Sequence, residues 1–183
     1  MSTGIIIRGI GGFYYVKAGD GIYECKARGV FRKNEITPLP GDNVIISVID
    51  EKTKKGYIEK ILERTTVLVR PAVANVEQLV AVIAVKAPEP DLMLLDKLLI
   101  TAENSGMQTV VCINKIDLDP ENKRKSIFDD YTRAGYCVIQ TSSTENMGFD
   151  ELKDVLKGRI SVFAGQSGVG KSTILNRIME TMV

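Results

Sequence analysis

The residues best suited to do chemistry lie near the end of the chain, in the run Gly165-Gln166-Ser167-Gly168-Val169-Gly170-Lys171-Ser172. Its spacing fits G-x-x-x-x-G-K-S/T, the pattern of a loop that binds phosphates. Because glycine tolerates positive φ angles, the backbone can curl so that successive N–H groups point at a polyphosphate. Lys171 would supply a positive charge to the β- and γ-phosphates, and the Ser172 hydroxyl would ligate Mg²⁺. We therefore predict a nucleotide-phosphate site, which also includes the next residue, Thr173.

The residues on either side of this loop have the pattern that a phosphate site needs. Residues 160–164 predict a buried strand, and residues 172–178 predict an amphipathic helix. The N-terminus of that helix would add its partial positive charge to an anion site. The alternative is a glycine-rich turn that happens to end in Lys-Ser, and the flanking strand and helix disfavour it.

A second motif, Asn114-Lys115-Ile116-Asp117, follows an apolar run and has the residue types that read a guanine base. The Asp117 carboxylate can accept hydrogen bonds from guanine N1–H and the exocyclic amine, whereas adenine offers an acceptor at N1 and no amine beside it. Losing such a paired contact costs more than losing an apolar one. The Lys115 stem can lie over the purine, and Asn114 can tie this loop to the phosphate loop. A plain polar turn is the alternative, because Asn and Asp are common in turns.

The elements that must position these motifs can be read from the alternation of apolar segments. Residues 76–85 form a near-continuous apolar run, which is typical of a strand in a sheet covered on both faces. Further strands are predicted at 109–113, 136–140 and 160–164, separated by helices that begin at Asp91, at Asp119-Pro120-Glu121 and at Gly148. This alternation predicts a doubly wound α/β sheet, and such sheets bind ligands at the carboxyl ends of their strands.

The first seventy residues have a different composition. They contain 12 Lys and Arg against 8 Asp and Glu, whereas residues 71–183 contain 12 against 15. Five short strand-like runs without a long helix predict a small closed barrel of the OB type. We therefore predict two domains, an all-β OB-type barrel at 1–70 and an α/β domain at 71–183.

Such barrels meet oligonucleotides through their loops, and several basic residues fall in the predicted loops of this one. The aromatic residues of the same stretch would help by stacking on bases. The alternative is that the basic loops are ordinary solvated surface. The candidate RNA-binding residues are Arg28, Arg32, Lys33, Lys52, Lys54 and Lys55.

Composition excludes several classes of function. The chain contains no histidine, which excludes Ser-His and Cys-His triads and any His-ligated metal within it. The three cysteines are interpreted as reduced core residues, and not as a disulfide or zinc framework. No apolar run reaches about 18 residues, and no secretory signal opens the chain, so we expect a cytoplasmic protein without a membrane span.

The order of the motifs resembles a known family. In GTPases a Ser-Ala pair presents a backbone N–H to guanine O6, and Ser142 and Ser143 follow the third predicted strand here, with Ser143 where Ala is usual. GTPases ordinarily run from the phosphate loop to the base-reading motif, but this chain has the reverse order. With its N-terminal barrel, it resembles the circularly permuted, ribosome-small-subunit-dependent GTPase family of bacteria. Arg70-Pro71 and the stretch Asn75-Val76-Glu77-Gln78 support the resemblance.

The resemblance implies a factor that hydrolyses GTP to GDP during late maturation of the small ribosomal subunit. It implies Mg²⁺ as cofactor, a barrel that contacts ribosomal RNA, and a monomeric protein when complete. The chain departs from the family because it contains no D-x-x-G and no switch segment after the phosphate loop. Zinc is expected only in the Cys/His module that this chain lacks. We therefore expect the chain to hold most guanine and phosphate contacts, to be inactive by itself, and to leave the catalytic residue unassigned.

Two other functions remain open on the residues alone. The first is an RNA-binding module in which the nucleotide is only a structural ligand. The second is a P-loop kinase with an accessory barrel, although a kinase has no use for N-K-x-D on a neighbouring strand end.

Overall fold

The computed structural model describes residues 1–19, 21–29, 31, 36–69, 71–119, 122 and 124–180. The chain divides into two compact units, Met1–Val76 and Glu77–Val183. Two of the candidate RNA-binding residues, Arg32 and Lys33, lie outside the described residues, as does the Pro120-Glu121 start predicted for the second helix.

Within the described part of the first unit, five strands close into a barrel in the order β1-β2-β3-β5-β4. They are β1 (Ser2–Ile10), β2 (Phe13–Ala18), β3 (Gly21–Ala27), β4 (Asn43–Asp50) and β5 (Lys55–Ile61). Strand β3 pairs with β5 in parallel, and β4 pairs with β1 to close the barrel. Because alternate residues point inward, the strands fill a common core, which includes Ile6, Val16, Cys25, Val44, Ile46 and Ile58. The predicted OB-type barrel is confirmed.

A buried ion pair holds the turn that leads into β4. The Asp42 side chain is completely buried, and Arg64 donates to both of its carboxylate oxygens, from Nε at 2.7 Å and from Nη2 at 2.8 Å. The backbone N–H of Leu39 donates to the same carboxylate at 2.7 Å. This hydrogen bonding to Asp42 raises the pKa of Arg64. The paired geometry is the strong form of a charge-assisted contact, so it fixes the position of the turn.

The residues just beyond the predicted domain boundary belong with the barrel. Strands β6 (Val67–Leu68) and β7 (Val73–Ala74) form a short antiparallel pair. The Asn75 amide donates to the Gly41 carbonyl at 2.9 Å. Gly41 has φ +88°, and a Cβ there would lie 2.0 Å from the Ala74 oxygen, so the two segments are in close backbone contact. For this reason the first unit extends to Val76, beyond the expected end at residue 70.

In the described part of the second unit, four parallel strands form a sheet in the order β10-β9-β8-β11. They are β8 (Gln78–Ala84), β9 (Gln108–Asn114), β10 (Cys137–Thr141) and β11 (Ser161–Ala164). Four α-helices are described in the same unit: α1 (Leu92–Asn104), α2 (Arg124–Arg133), α3 (Phe149–Leu156) and α4 (Lys171–Glu180). All seven residues of β8 are buried, as the apolar run predicted.

Helices cover both faces of this sheet. Val80 and Val82 share a core with the inward residues of α3 and α4. Their neighbours in β8 point to the opposite face, as alternation along a strand requires, and α1 contacts β8 and β9 with Leu95 and Leu99 buried. The predicted doubly wound α/β sheet is therefore confirmed.

The helix starts predicted from the sequence can be compared with the described helices. Asp91 caps α1 as predicted, because its side chain accepts from the Leu94 N–H at 2.9 Å. Helix α2 is described from Arg124, whose N–H donates to the Asp119 carboxylate at 2.8 Å. The longest helix in the described part of the chain has 13 residues, and none there could span a membrane.

One expectation about the cysteines is wrong. Cys25 and Cys112 are buried, and burial raises the pKa of each thiol to about 11. Cys137 is exposed instead of buried in the core. It is the first residue of β10, an edge strand that pairs only with β9 among the described strands, so its side chain is not enclosed.

We predict that replacing Arg64 by Met destabilises the barrel by about 3–5 kcal/mol, because it leaves the buried Asp42 carboxylate without its partner. Urea unfolding followed by circular dichroism, with hydrogen exchange of the β4 amides to assign the transition, measures this. The matched control is Arg28→Met, which removes an exposed pair with Glu59 and should change stability little. Equal stability of the two variants would contradict the role of the Asp42–Arg64 pair.

Candidate nucleotide-binding site

Three strands of the parallel sheet end at the same edge, and each is followed by one of the sequence motifs. Strand β9 ends at Asn114, β10 at Thr141 and β11 at Ala164. Asn114 and Thr141 are direct partners in the register of β9 and β10. The carboxyl edge of such a sheet is where α/β folds bind ligands, so the fold brings the three motifs to one candidate site.

The phosphate loop runs from β11 into α4, and two of its glycines sit where no side chain fits. Gly165 has φ +145°, and a Cβ there would lie 2.1 Å from the Val82 oxygen. Gly170 has φ +100°, and its Cβ would lie 2.3 Å from Asn114 Nδ2. Between them, the Val169 side chain is fully buried in the core and holds the middle of the loop in place. The loop conformation therefore depends on glycine at both ends.

Lys171 is held over the phosphate loop. Its Nζ donates to the carbonyl oxygens of Gly165 and Gln166, both at 2.8 Å. An ammonium group has three donors, so a third N–H is available for a phosphate oxygen. Ser172 and Thr173 are exposed in the first turn of α4, and Ser167 and Gly168 are exposed in the loop. The helix N-terminus and the ammonium group together give this surface positive character.

Asn114 joins the base-reading motif to the phosphate loop. Its Nδ2 donates to the Val169 carbonyl at 2.8 Å, and its Oδ1 accepts from the Thr141 hydroxyl at 2.9 Å. All of these polar groups are buried. Since leaving a buried amide unpaired is costly, both contacts constrain the distance between the two motifs.

Lys115 makes a second link between the same motifs. Its backbone is in the left-handed region with φ 60°. Its Nζ donates to the Gly168 carbonyl at 2.8 Å and also to the Ala87 carbonyl. The lysine stem therefore spans from the end of β9 to the phosphate loop and can form one wall for a flat base.

Asp117 is oriented by Ser142. The Ser142 hydroxyl donates to Asp117 Oδ1 at 2.6 Å and accepts from the Glu145 N–H at 3.1 Å. Each carboxylate oxygen has more than one acceptor position, so Asp117 can still accept two hydrogen bonds from a base edge. Ser142 is completely buried, so its side chain could influence a ligand only through Asp117.

The base-reading motif, the phosphate loop and the segment after β10 line one open cavity of about 270 Å³. Its volume is close to the lower end of ligand clefts, which begin at about 300 Å³. Six of the residues expected at the guanine and phosphate sites line it, together with two others. The lining residues are Asn114, Lys115, Asp117, Leu118, Ser143, Thr144, Gly170 and Thr173. The Ser143 hydroxyl is buried and has no hydrogen-bond partner within the described residues.

Sequence reasoning missed three residues at this site. Thr141 supports Asn114, while Leu118 and Thr144 line the cavity. Thr141 could have been found, because it stands at the end of a predicted strand next to the strand that carries Asn114. Leu118 lies one residue beyond the Asn114–Asp117 motif. Thr144 ends the Thr141-Ser142-Ser143-Thr144 segment, in which a role was predicted only for the two serines.

Mg²⁺ suits this site better than a metal held only by protein side chains. No three Cys, Asp or Glu side chains are grouped to hold a metal in the described ranges of the chain. Mg²⁺ is usually bound through one or two protein groups together with substrate phosphates and water. The exposed Ser172 hydroxyl at the start of α4 fits that pattern.

The basic residues predicted to bind RNA have different surroundings. Arg28 pairs with Glu59 at 2.7 Å, and the pKa of Glu59 is held low by hydrogen bonds from Ser47 and Arg28. Lys54 donates to the Tyr23 hydroxyl at 3.2 Å and lies 3.4 Å from Glu51, and these contacts raise its pKa. Lys52 is exposed in the β4–β5 turn, and Lys55 is exposed at the start of β5. The structure thus groups Lys52, Lys54 and Lys55 and leaves Arg28 at the end of β3.

Family models match both units of the chain. A model described as RsgA GTPase matches residues 61–183, and one described as the RsgA N-terminal domain matches residues 3–58. The small ribosomal subunit biogenesis GTPase RsgA of Ruminiclostridium cellulolyticum is 60% identical over 100% of this chain and 60% of that protein. The protein of the same name from Alkaliphilus metalliredigens is 50% identical over 98% of this chain and 61% of its own length.

Two solved structures are similar over nearly the whole chain. YjeQ from Thermotoga maritima aligns with a TM-score of 0.86 and 39% identity, over 97% of this chain and 64% of that one. YloQ, described as a circularly permuted GTPase, aligns with a TM-score of 0.81 and 41% identity, over 99% of this chain and 65% of that one. The chain spans about 60% of the length of the curated relatives it matches. These matches confirm the resemblance inferred from the order of the motifs: the chain belongs to the RsgA GTPase family.

Proposed function

We propose that the protein is a guanine-nucleotide-binding GTPase that acts in late maturation of the small ribosomal subunit. It would hydrolyse GTP to GDP and phosphate when bound to that subunit, in the cytoplasm and as a monomer. The observation that carries the proposal is the pair of links from Asn114 and Lys115 to the phosphate loop, at 2.8 Å each. A base-recognition motif and a phosphate-binding loop held at a fixed separation suit a guanosine polyphosphate.

The base would be recognised by Asp117. Its carboxylate would accept from guanine N1–H and the exocyclic amine, while Ser142 keeps the group oriented at 2.6 Å. The Lys115 stem would cover one face of the purine, and the backbone N–H of Ser143 would donate to guanine O6. Adenine would leave the half-buried Asp117 carboxylate without these donors, which is the basis of strong discrimination.

The phosphates would be held by the loop from Gly165 to Ser172 and by the N-terminus of α4. Lys171 would give its free N–H to the β- and γ-phosphates and lower their mutual repulsion. When Mg²⁺ is bound, it would neutralise phosphate charge, and the Ser172 hydroxyl would be its protein ligand. Phosphoryl transfer depends largely on such positioning and electrostatic stabilisation.

The barrel would connect the nucleotide site to the ribosome. The first seventy residues carry an excess of four positive charges. Lys52, Lys54 and Lys55 lie together at the β4–β5 turn, and Arg28 lies at the end of β3. We propose that these residues contact ribosomal RNA, so that docking on the small subunit and hydrolysis of GTP are coupled.

We predict that Asp117→Asn weakens GDP binding by about tenfold or more, because contacts of a base with a charged group are worth about 1.5–3 kcal/mol. The same change should favour XDP, whose C2 carbonyl can accept from the new amide. Calorimetry with GDP, ADP and XDP on both forms tests this. Asp154→Asn on the exposed surface of α3, the same change of carboxylate to amide, serves as the control. Equal affinity of the parent protein for GDP and ADP would contradict guanine specificity.

The function as a whole is tested by GTP hydrolysis with and without purified small ribosomal subunits, measured on the complete gene product. We expect hydrolysis to rise when the small subunit is added and to change little with the large subunit. Lys171→Ala should abolish the stimulated rate, because the charge that stabilises the phosphates is lost. Binding to the small subunit without any stimulation of hydrolysis would favour an RNA-binding module with a structural nucleotide.

Contact of the barrel with RNA predicts a steep dependence on salt. If the basic residues neutralise phosphates, the logarithm of affinity should fall with the logarithm of salt by roughly 0.7–0.9 per contact. Lys52→Gln should weaken binding to all RNA sequences alike and lower that slope by about one contact. Filter binding to small-subunit RNA across a salt series measures this, with Lys97→Gln on α1 as control. A flat salt dependence would mean that these loops are ordinary solvated surface.

A further inference from the structure

Some aromatic residues of the barrel lie in its core, and others lie on its outer surface. Tyr23 and Phe31 are buried, and Tyr14 packs against the core. Phe13 and Tyr57 line a cavity on the outer surface, and Tyr57 is 39% exposed. A ring on the outer surface exposes apolar area to water and does not stabilise the core. Packing of the barrel therefore does not explain the rings at these two positions.

Phe13, Lys26 and Tyr57 form one row across three neighbouring strands, which we call the outer row. In the register of the barrel, Phe13 of β2 lies opposite Lys26 of β3, and Lys26 lies opposite Tyr57 of β5. Two inter-strand spacings separate the two rings, which is roughly 9–10 Å. The Lys26 ammonium lies 5.0 Å from the centre of the Phe13 ring. The row therefore alternates ring, positive charge and ring.

The outer row lines an open cavity of about 340 Å³, which is large enough for a base-sized ligand. Lys55 lies on the rim, and the Arg28 guanidinium lies 5.9 Å from the centre of the Tyr57 ring. The remaining members of the lining are Glu24, Ile49 and Gly56. A positive group thus lies over one face of each ring, and of the two only Arg28 has an ion pair described, with Glu59.

We propose that the outer row is a binding platform for single-stranded RNA, a proposal that rests on the RNA contact proposed above for the barrel. One base would stack on Phe13 and a second on Tyr57, with the Lys26 and Arg28 side chains turning from the ring faces toward the phosphate. Stacking on aromatic rings tolerates any base, because every base has a flat π-face. A duplex keeps its bases stacked on one another, so it could not use the two rings.

The charges of the outer row favour RNA over an apolar protein surface. An apolar partner would cover Lys26 without pairing its charge, which is costly. A phosphate instead satisfies it. Glu24 lies opposite Lys55 in the register and accepts from the Tyr15 hydroxyl at 3.4 Å. Because its carboxylate repels phosphate, the RNA backbone would pass on the side of Lys26 and Arg28.

The test uses the full chain and labelled oligonucleotides of about eight nucleotides, within the site sizes of OB folds. The probes are single-stranded oligouridine, single-stranded oligoadenosine and a duplex of the same length. Phe13→Leu and Tyr57→Leu keep apolar bulk but remove the flat ring. We expect each to weaken binding of both single strands by about 5- to 150-fold, with little change in salt dependence. Duplex binding should change less than twofold.

Variants that remove a charge from the same face should change the salt dependence of binding, unlike the ring variants. Lys26→Gln should lower the salt slope for single strands by about 0.7, whereas the control Lys97→Gln on α1 should leave it unchanged. Glu24→Gln should tighten binding, because it removes a carboxylate from the cavity lining. Circular dichroism of each variant confirms that the barrel is folded.

Two results would overturn the inference. If the ring variants bind single strands like the parent while Lys52→Gln weakens binding, the RNA lies on the loops and not on the outer row. If the parent protein binds no RNA even at low salt, the face has a different partner, such as a ribosomal protein. In that case, hydrolysis stimulated by the small subunit still reports separately on the proposed function.

Discussion

The arrangement of the nucleotide site depends on one buried amide. Asn114 gives its N–H to the Val169 carbonyl and takes a hydrogen bond from Thr141, so a single side chain fixes three strand ends relative to one another. Removing either hydrogen-bond partner of Asn114 leaves a polar group buried and unpaired, which costs about 1–3 kcal/mol. Cys112 extends the network beneath the site, with its sulfur 3.4 Å from the Thr141 hydroxyl. In the proposed function, specificity for a base and affinity for phosphates would thus have a common structural origin.

Much of this site could be predicted from the sequence, because its chemistry is carried by residue types at fixed spacing. Gly165, Gly170 and Lys171 are constrained by the conformation of the loop itself, and Asp117 follows from the hydrogen-bonding pattern of guanine. The role of Ser142 was different. The family resemblance implied that the Ser142-Ser143 pair presents a backbone N–H to guanine, and the structure adds a hydrogen bond from the Ser142 hydroxyl to Asp117. Such a contact depends on how two loops from neighbouring strands meet, and spacing along the chain does not contain that information.

The fold was predicted with similar limits. Alternation and apolar runs sufficed for the barrel and for the parallel sheet, since these patterns follow from burial of one or both faces. The end of the first unit was harder, because residues 71–76 carry no barrel-like pattern and are held by Asn75 and Ala74 against the turn at Gly41. Cys137 shows the same limit, since an apolar neighbourhood does not reveal that a strand lies at the edge of its sheet. Nor could composition separate the outward rings of Phe13 and Tyr57 from the buried ring of Tyr23.

The close approach of Gly170 to Asn114 has a consequence for how this site can vary. A Cβ at Gly170 would lie 2.3 Å from Asn114 Nδ2, so a side chain there would displace the amide that supports the base reader. A change in the phosphate loop would then appear in an assay as altered preference among bases. The two properties cannot be tuned one at a time by substitutions at this contact. Variants that shift one without the other must therefore arise elsewhere, and natural sequence changes at residues 114 and 170 are best interpreted as a pair.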